Sequence, residues 1–448
     1  MKGLMLTAMG SGSGKTVVTC GLLCAWKERG LDIRAFKCGP DYIDPMFHTQ
    51  VLGVPSRNLD LFLQGPEGAA HTLISSGGAL AVIEAAMGFY DGVAGTHQAS
   101  PWQVCDSVGA KAILILRPGG SFLTLAAQVQ GMLSFRRPSQ IAGVLFNDCR
   151  PALCDRLAPV LERETGLPVL GCLPPMEEAS VASRHLGLLT AGEIDRCRER
   201  FQAVGRQLEE TADLDRLLSL AGDLTPSTGA AAAKLSPRCT IAVARDEAFC
   251  FYYADNLEAL EQAGAELCCF SPIRDREIPR GANGLYLGGG YPELYAGALS
   301  QNEAMRRSVS QWLGAGRPTV AECGGFLYLQ RTLQDQEGRI WPMAGVLQGE
   351  GYRTDRLQRF GYLTLEAEED SLLFRAGEQV PAHEFHRWEC TENGAGLRAV
   401  KPDGRQTWRC GFVGPGLYAA FPHLHFGGRL PMAQRFVSAA SAWREEHR

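Results

Sequence analysis

The sequence lacks the features that mark membrane, secreted and nucleic-acid-binding proteins. No uninterrupted apolar run approaches the roughly 18 residues of a membrane-spanning helix, and the start has no charged region followed by an apolar stretch. No block of like charge occurs, and the formal net charge is -5 at pH 7. We therefore predict a soluble, cytoplasmic protein that binds neither membrane nor nucleic acid.

The cysteines form no regular framework, although there are 15 of them. They are scattered through apolar runs such as TVVTCGLLCAW, and no CxxC pair of the zinc type is present. A cysteine in an apolar run is usually a small core residue of a protein from a reducing compartment. The pattern therefore predicts reduced core thiols.

The chain is long enough for two domains. A single core stops growing at roughly 250–300 residues, and this chain has 448. In the first half, buried-strand patterns alternate with segments long enough for crossover helices, which predicts a mostly parallel sheet covered by helices. GDLTPSTGAAAAKLSPRC then indicates a linker, and a second alternating series begins at TIAVARD. We predict two α/β domains, at 1–225 and 240–448, with a linker at 226–239.

A glycine-rich segment, GSGSGKT, lies between the first predicted strand and the first predicted helix. Backbone N–H groups at a helix start cradle phosphates, lysine neutralises the β- and γ-phosphates, and a hydroxyl ligates Mg²⁺. The segment is a variant of the Walker pattern, because strict spacing would put glycine where the chain has Met9. With ATP as co-substrate, the predicted nucleotide-binding residues are Gly12, Ser13, Gly14, Lys15 and Thr16.

Two further segments, KCGPDYIDPMFH and AVIEAAMGFYDG, carry acidic residues beyond predicted strand ends, where open α/β sheets bind ligands. Glu84 closes an apolar strand, so we predict that it ligates Mg²⁺ together with Thr16 and Asp41. Asp44 and Asp91 are candidates for positioning a substrate. Taken singly, each acid is equally well explained as a solvated loop carboxylate; their co-occurrence with the phosphate loop favours a site.

A second site is indicated by PTVAECGGFLYL, in which a strand-like run leads into Cys323 and two glycines before a helix start. Small neighbours let the chain turn sharply, and the helix N-terminus favours the thiolate that attacks a carboxamide. PHLHF supplies His423 as the base, with His425 on the same side of the segment. In LYLGGGYPEL, the N–H groups of Gly289 and Gly290 are placed to form an oxyanion hole. The alternative for Cys323 is one more buried core cysteine, and HEFHRWE has no role that chemistry alone assigns.

Together these segments resemble the cobyrinic acid a,c-diamide synthase family, almost from end to end. The resemblance also rests on RHLGL, ARDEAFCFYYADNLEAL, GGGYPELYA, HEFH and HLHF, in the same order. It implies a P-loop, dethiobiotin-synthetase-like ATP domain followed by a class I glutamine amidotransferase-like domain with a Cys323–His423 dyad. It further implies a cytoplasmic, glutamine-hydrolysing carbon–nitrogen ligase of cobalamin biosynthesis that forms a homodimer.

The expected reaction amidates the c and then the a side-chain carboxylate of cobyrinic or hydrogenobyrinic acid. We expect ATP, with Mg²⁺, to convert each carboxylate to an acyl phosphate, which ammonia from L-glutamine then displaces. Whether the ring carries cobalt or is metal-free stays open. Related enzymes act on a nickel sirohydrochlorin.

Two positions depart from the family pattern. The strand-end motif usually reads Glu-Gly, whereas here Ala85 follows Glu84, and many glutamine amidotransferases have glutamate where this chain has His425. One competing hypothesis is a partitioning-type ATPase with a C-terminal binding module, which gives Cys323 and His423 no purpose. A weaker one is a non-catalytic, amidotransferase-like scaffold. A glutaminase assay separates these hypotheses.

Overall fold

The computed structural model of the protein describes residues 1–177, 191–224 and 235–446. The chain forms two compact units, Met1–Ala231 and Ala232–Arg448. The RHLGL segment and most of the predicted linker lie outside the described ranges. Within those ranges, none of the helices has the length and apolarity that a bilayer crossing requires.

The first unit is built on a sheet whose strands alternate with helices along the chain. Its strands are β1 (Lys2–Ala8), β2 (Ile33–Cys38), β3 (Ser56–Leu59), β4 (Leu80–Glu84), β5 (Lys111–Leu116), β6 (Ile141–Asn147), β7 (Val169–Leu173) and β8 (Gly222–Asp223). Its helices are α1 (Lys15–Glu28), α2 (Ile43–Gln50), α3 (Gly65–Ser76), α4 (Pro101–Val108), α5 (Leu123–Phe135), α6 (Pro151–Thr165), α7 (Ala191–Thr211) and α8 (Leu214–Ser219).

The strands of this unit lie in the order β3-β2-β4-β1-β5-β6-β7, all parallel, with β8 antiparallel to β1. Strands β1, β4 and β5 are buried along nearly their whole length, because helices cover both faces of the sheet. One face packs on Val18 and Trp26 of α1, and the other packs on Leu73 of α3 and Val129 of α5. Since the strands are parallel, their carboxyl ends share one edge, where the loops after β1, β2 and β4 converge.

The second unit contains two sheets and five described helices. Its strands are β9 (Cys239–Ala244), β10 (Ala265–Phe270), β11 (Gly284–Leu287), β12 (Thr319–Glu322), β13 (Thr332–Gln334), β14 (Ile340–Pro342), β15 (Glu350–Ala367), β16 (Gln379–Cys390), β17 (Leu397–Val400), β18 (Thr407–Cys410), β19 (Phe412–Gly414), β20 (Leu417–Ala420) and β21 (His423–Leu424). Its helices are α9 (Ala254–Gln262), α10 (Ala296–Gln301), α11 (Glu303–Gly314), α12 (Gly324–Leu329) and α13 (Met432–Glu446).

The first of these sheets has the order β10-β9-β11-β12-β20-β19 and is parallel except for β19. The second sheet has the order β14-β13-β15-β16-β21 and is largely antiparallel; β17 also pairs with β15, and β18 pairs with β17. The α/β class predicted for both halves is confirmed. The long pair β15–β16 was not predicted, because β15 mixes exposed and half-buried positions over most of its length and has no continuous apolar run.

Candidate active sites

The phosphate loop joins β1 to α1 and is shaped by two glycines in the left-handed region. Gly12 has φ +79° and Gly14 has φ +90°, which other residues rarely adopt. A β-carbon on Gly14 would lie 2.0 Å from Nδ2 of Asn147, at the end of β6. That side-chain amide donates to the Ser13 carbonyl at 2.9 Å. The loop is therefore held from a neighbouring strand end as it leads into α1.

Lys15 opens α1, and its ammonium group folds back over the loop. Its Nζ donates to the Gly10 carbonyl at 3.0 Å and to the Met87 carbonyl at 2.6 Å. Burial, with a contribution from Lys37, lowers the pKa of Lys15. A bound phosphate would offer this ammonium group a charged oxygen in place of the two carbonyls. A hydrogen bond between two charged groups is stronger than one to a neutral carbonyl. The geometry suits a lysine that turns toward phosphate when nucleotide binds.

Thr16 and Glu84 bring oxygen atoms together beside the phosphate loop. The Thr16 hydroxyl donates to Glu84 Oε1 at 2.6 Å, and Glu84 is fully buried at the end of β4. Its Oε2 lies 3.4 Å from His48 Nε2. Although burial opposes its charge, Lys37 and His48 hold the pKa of Glu84 well below its usual range. An ionised carboxylate and a hydroxyl are hard oxygen ligands, so these two residues fit Mg²⁺.

Lys37 is a candidate that the sequence predictions missed. Its side chain is 6% exposed, and its Nζ lies 2.5 Å from Asp44 Oδ2 and 2.8 Å from Glu84 Oε1. Burial disfavours its charge, but the two carboxylates prevail and raise the pKa of Lys37 well above its usual value. The available signal was a lysine inside the buried strand IRAFKC, since a buried lysine needs an anionic partner.

The other predicted acids have different environments. Asp44 pairs with Lys37, and burial raises its pKa to about 7. Asp41 Oδ1 accepts from two backbone amides at the start of α2, at 2.8 and 3.2 Å. Asp91 Oδ2 accepts from the Gly88 amide at 2.9 Å and so braces the loop after β4. Among the described residues, no hydrogen bond or ion pair joins Asp41 to the hydroxyl and carboxylate predicted to share a metal with it.

In the second unit, Cys323 stands at a sharp turn between β12 and α12. Its φ is +47°, a strained conformation for a residue with a β-carbon. The turn depends on small neighbours, because a β-carbon on Gly325 would lie 2.2 Å from the Leu287 carbonyl oxygen. The Cys323 amide donates to the Ala420 carbonyl at 2.9 Å. The backbone has the strand–turn–helix form of a nucleophile elbow.

The thiol of Cys323 is held in its neutral form in the free protein. Burial raises its pKa above the usual range, and the carboxylates of Glu293, Glu384 and Glu322 add to the rise. The Gly324 amide acts in the opposite direction without outweighing them. The helix start therefore acts in the predicted direction through the Gly324 amide, but burial and the three carboxylates outweigh it in the free protein.

His423 lies beside the turn that carries Cys323. A β-carbon on Gly289 would stand 2.5 Å from His423 Cε1, and one on Gly324 would stand 3.3 Å from the Gly289 carbonyl carbon. Gly289 is therefore packed between the imidazole and the residue after Cys323. Burial, with contributions from two neighbouring histidines, lowers the pKa of His423 to about 3. The imidazole is thus neutral at pH 7, as a proton acceptor must be.

The two predicted oxyanion residues differ in their contacts. The Gly289 carbonyl accepts from the amides of Cys250 and Phe251, both at 3.0 Å, which fixes the strand end. The Gly290 amide donates no backbone hydrogen bond within the described part of the chain, and it lies 3.0 Å from the β-carbon position of Gly324. The Gly324 amide interacts with the nucleophile itself. The Gly324 amide, directly after Cys323, is a further candidate donor beside those of Gly289 and Gly290, and the sequence predictions missed it.

The HEFH segment lies in β16, next to the strand that carries His423. His383 is the register partner of His423. Glu384 is fully buried, with one carboxylate oxygen 3.4 Å from Arg359 Nε and 3.3 Å from His386 Nε2. The segment therefore forms a buried, charged layer near the thiol.

His425 makes its own separate contacts. Its Nδ1 accepts from the Gly427 amide at 3.1 Å, and its ring centroid lies 4.8 Å from that of Tyr253. Burial lowers the pKa of His425 to about 4. These contacts support a packing role within the loop that follows β21.

Comparison with known proteins assigns both units. Residues 4–188 match the family described as the CobQ/CobB/MinD/ParA nucleotide binding domain, and residues 240–430 match the CobB/CobQ-like glutamine amidotransferase domain. Cobyrinate a,c-diamide synthase of Clostridium tetani is 34% identical over 96% of this chain and 98% of its own length. The synthases of Clostridium acetobutylicum and Salmonella typhimurium are 35% and 38% identical, covering 98% and 97% of this chain and 100% and 97% of their own lengths.

These relatives are similar over nearly their whole length, and both matched domains coincide with the phosphate loop and the cysteine elbow described above. A glutamine amidotransferase domain joined to a nucleotide-binding domain is what a glutamine-hydrolysing ligase requires. This combination argues against the alternative of a partitioning-type ATPase. The chain belongs to the cobyrinate a,c-diamide synthase family.

Proposed function

We propose that the protein amidates the a and c side-chain carboxylates of cobyrinic or hydrogenobyrinic acid, with ammonia from glutamine, in cobalamin biosynthesis. The observation that carries the proposal is the full-length similarity to cobyrinate a,c-diamide synthases in a chain with both a phosphate loop and a cysteine elbow. The geometry of each site supports one half of the reaction.

In the glutaminase half, neutral His423 takes the proton of Cys323, and the thiolate attacks the carboxamide carbon of glutamine. The amides of Gly290 and Gly324 donate to the oxyanion that develops. The imidazolium then returns its proton to the leaving nitrogen, so ammonia departs and a glutamyl thioester remains. Water, activated by the same imidazole, hydrolyses the thioester to glutamate and restores the thiol.

In the synthetase half, a ring carboxylate attacks the γ-phosphorus of ATP, ADP leaves, and ammonia displaces phosphate from the acyl phosphate. Amides of the phosphate loop and Lys15 bind the phosphates. Thr16 and Glu84 would hold Mg²⁺, which when bound offsets negative charge on the transferring phosphoryl group. We assign substrate positioning to Asp44 and Asp91. Asp41 stays a proposed metal ligand that would have to leave its two backbone donors.

The test is product analysis by mass spectrometry. The protein is incubated with ATP, Mg²⁺, and either cobyrinic or hydrogenobyrinic acid, with glutamine or ammonium as the nitrogen source. Two successive carboxyl-to-carboxamide shifts are expected, and the acid that reacts identifies the ring. No shift with either acid would refute the proposed substrate.

The same assay separates the two sites. A Cys323→Ala variant should lose glutamine-dependent amidation and keep ammonium-dependent amidation, because ammonia bypasses the thioester. Cys269→Ala, at an exposed thiol, is the matched control and should retain both. Loss of both activities in Cys323→Ala alone would contradict the separation of sites.

A further inference from the structure

Glu293 is a buried acid next to the nucleophile that the mechanism above does not use. It ends the segment GGGYPE, which follows β11. That segment lies against the cysteine turn, since Gly290 N and Pro292 Cδ both stand 3.0 Å from the β-carbon position of Gly324. Glu293 is 9% exposed, and its charge is the first of the carboxylates that act on Cys323.

The carboxylate of Glu293 forms no ion pair within the described part of the chain. Among the described residues, no lysine, arginine or histidine lies within ion-pair distance of it, and its hydrogen bond comes from its own amide. Burial accordingly raises the pKa of Glu293 to about 7. A buried carboxylate without a partner is costly, so a position of this kind indicates a cationic ligand.

The two other acids near the thiol already have hydrogen-bond or ion-pair partners. Glu322 accepts from the Leu424 amide and from the Tyr286 hydroxyl, both at 2.9 Å. Glu384 lies within ion-pair distance of the Arg359 guanidinium and the His386 imidazole. Of the three acids near Cys323, Glu293 is therefore the one best placed to bind a cationic group of a ligand.

The cation that must come to this site is the α-ammonium group of glutamine, whose carboxamide carbon has to reach Cys323. We propose that Glu293 binds the α-ammonium group of glutamine and so distinguishes glutamine from other primary amides. This inference rests on the proposed glutaminase function. An ammonium group beside Glu293 would also offset one of the charges that disfavour the Cys323 thiolate, although burial is the larger cause of its neutral form.

The experiment compares glutamine with glutaramate, the same five-carbon monoamide without the amino group. For the unmodified protein we expect kcat/KM for glutaminase activity to be roughly a hundredfold lower with glutaramate, since a buried charge would lack its partner. In Glu293→Gln the preference should fall to within roughly threefold of unity, mainly through loss of glutamine activity. Glu303→Gln, an exposed acid on α11, is the matched control and should keep the full preference.

Amidation with ammonium checks that each variant is folded and that its synthetase half is intact. If Glu293→Gln keeps the preference, or if Glu384→Gln removes it and Glu293→Gln does not, the assignment is overturned. Equal kcat/KM for the two amides in the unmodified protein would overturn it without any variant. Absence of glutaminase activity in the unmodified protein would refute the proposed function itself, and the inference with it.

Discussion

Replacing Gly289 by Ala would test whether the position of the His423 imidazole controls glutamine hydrolysis. The added β-carbon would stand 2.5 Å from His423 Cε1 and 3.4 Å from its Nε2. Gly289 does not have a positive φ, so alanine brings no backbone strain and the effect is one of space alone.

The size of the effect follows from these distances. Carbon atoms in contact normally lie about 3.5–4.0 Å apart, so the ring has to move by roughly 1 Å. His423 is 2% exposed and cannot turn out into solvent. A displacement of about 1 Å of a catalytic group costs roughly 10²-fold in rate. We therefore expect glutamine-dependent amidation to fall about 10²-fold, with an overpacking cost of about 1–3 kcal/mol in stability.

The assay measures amide formation with glutamine and with ammonium for the same preparation. Ammonium-dependent activity should stay at the level of the unmodified protein. Gly314→Ala is the control, because a β-carbon there would meet nothing within 4 Å. If Gly289→Ala hydrolyses glutamine at the original rate, or loses both activities equally, the placement of His423 as the base is refuted.

Three other substitutions test separate parts of the structure. Lys37→Met leaves the buried Glu84 without its cation, so the free energy of unfolding measured in urea should fall by about 3–5 kcal/mol; unchanged stability would contradict the pairing. Thr16→Val removes the hydroxyl beside Glu84, and calorimetry should then show that Mg²⁺ no longer tightens ATP binding; retained tightening would place the metal elsewhere. The folded-state pKa of His425 is about 4, below the ordinary 6.5, so the unfolded chain binds its proton first and stability is lost as the pH falls through this range. In His425→Asn the side-chain oxygen can still accept from the Gly427 amide. Between pH 6.5 and 4 the free energy of unfolding of this variant should fall by about 3 kcal/mol less than that of the unmodified protein. An identical dependence of stability on pH in the two proteins would refute the lowered pKa of His425.

The sequence predicted those site residues whose signals are local. The phosphate loop is contiguous, and the order of strand, glycine-rich loop and helix is visible without knowing the topology. The apolar strand that was predicted to close at Glu84 is β4, which ends at this residue. Cys323 was predicted in the same way, because the strand before it and the glycines after it are its sequence neighbours.

The partner of Lys37 could not be predicted, because it depends on which strands are neighbours. Lys37 and Glu84 are register partners only because β2 lies beside β4 and not beside β1. Periodicity predicts that both strands are buried but does not give their order. The same limit applies to Asn147, which reaches the phosphate loop from the end of β6.

The protonation state of the nucleophile was beyond the sequence for a related reason. A helix start near a cysteine is visible in the sequence, but the carboxylates that oppose its effect come from distant segments that the fold brings together. In the first unit the buried carboxylates have Lys37 as a resident cation, which keeps Glu84 ionised and available to a metal. Glu293 has no such partner among the described residues, and the proposed α-ammonium group of glutamine would supply one. An ammonium group beside Glu293 would offset one of the charges that disfavour the Cys323 thiolate, and would so make the reactive form more accessible when glutamine is bound.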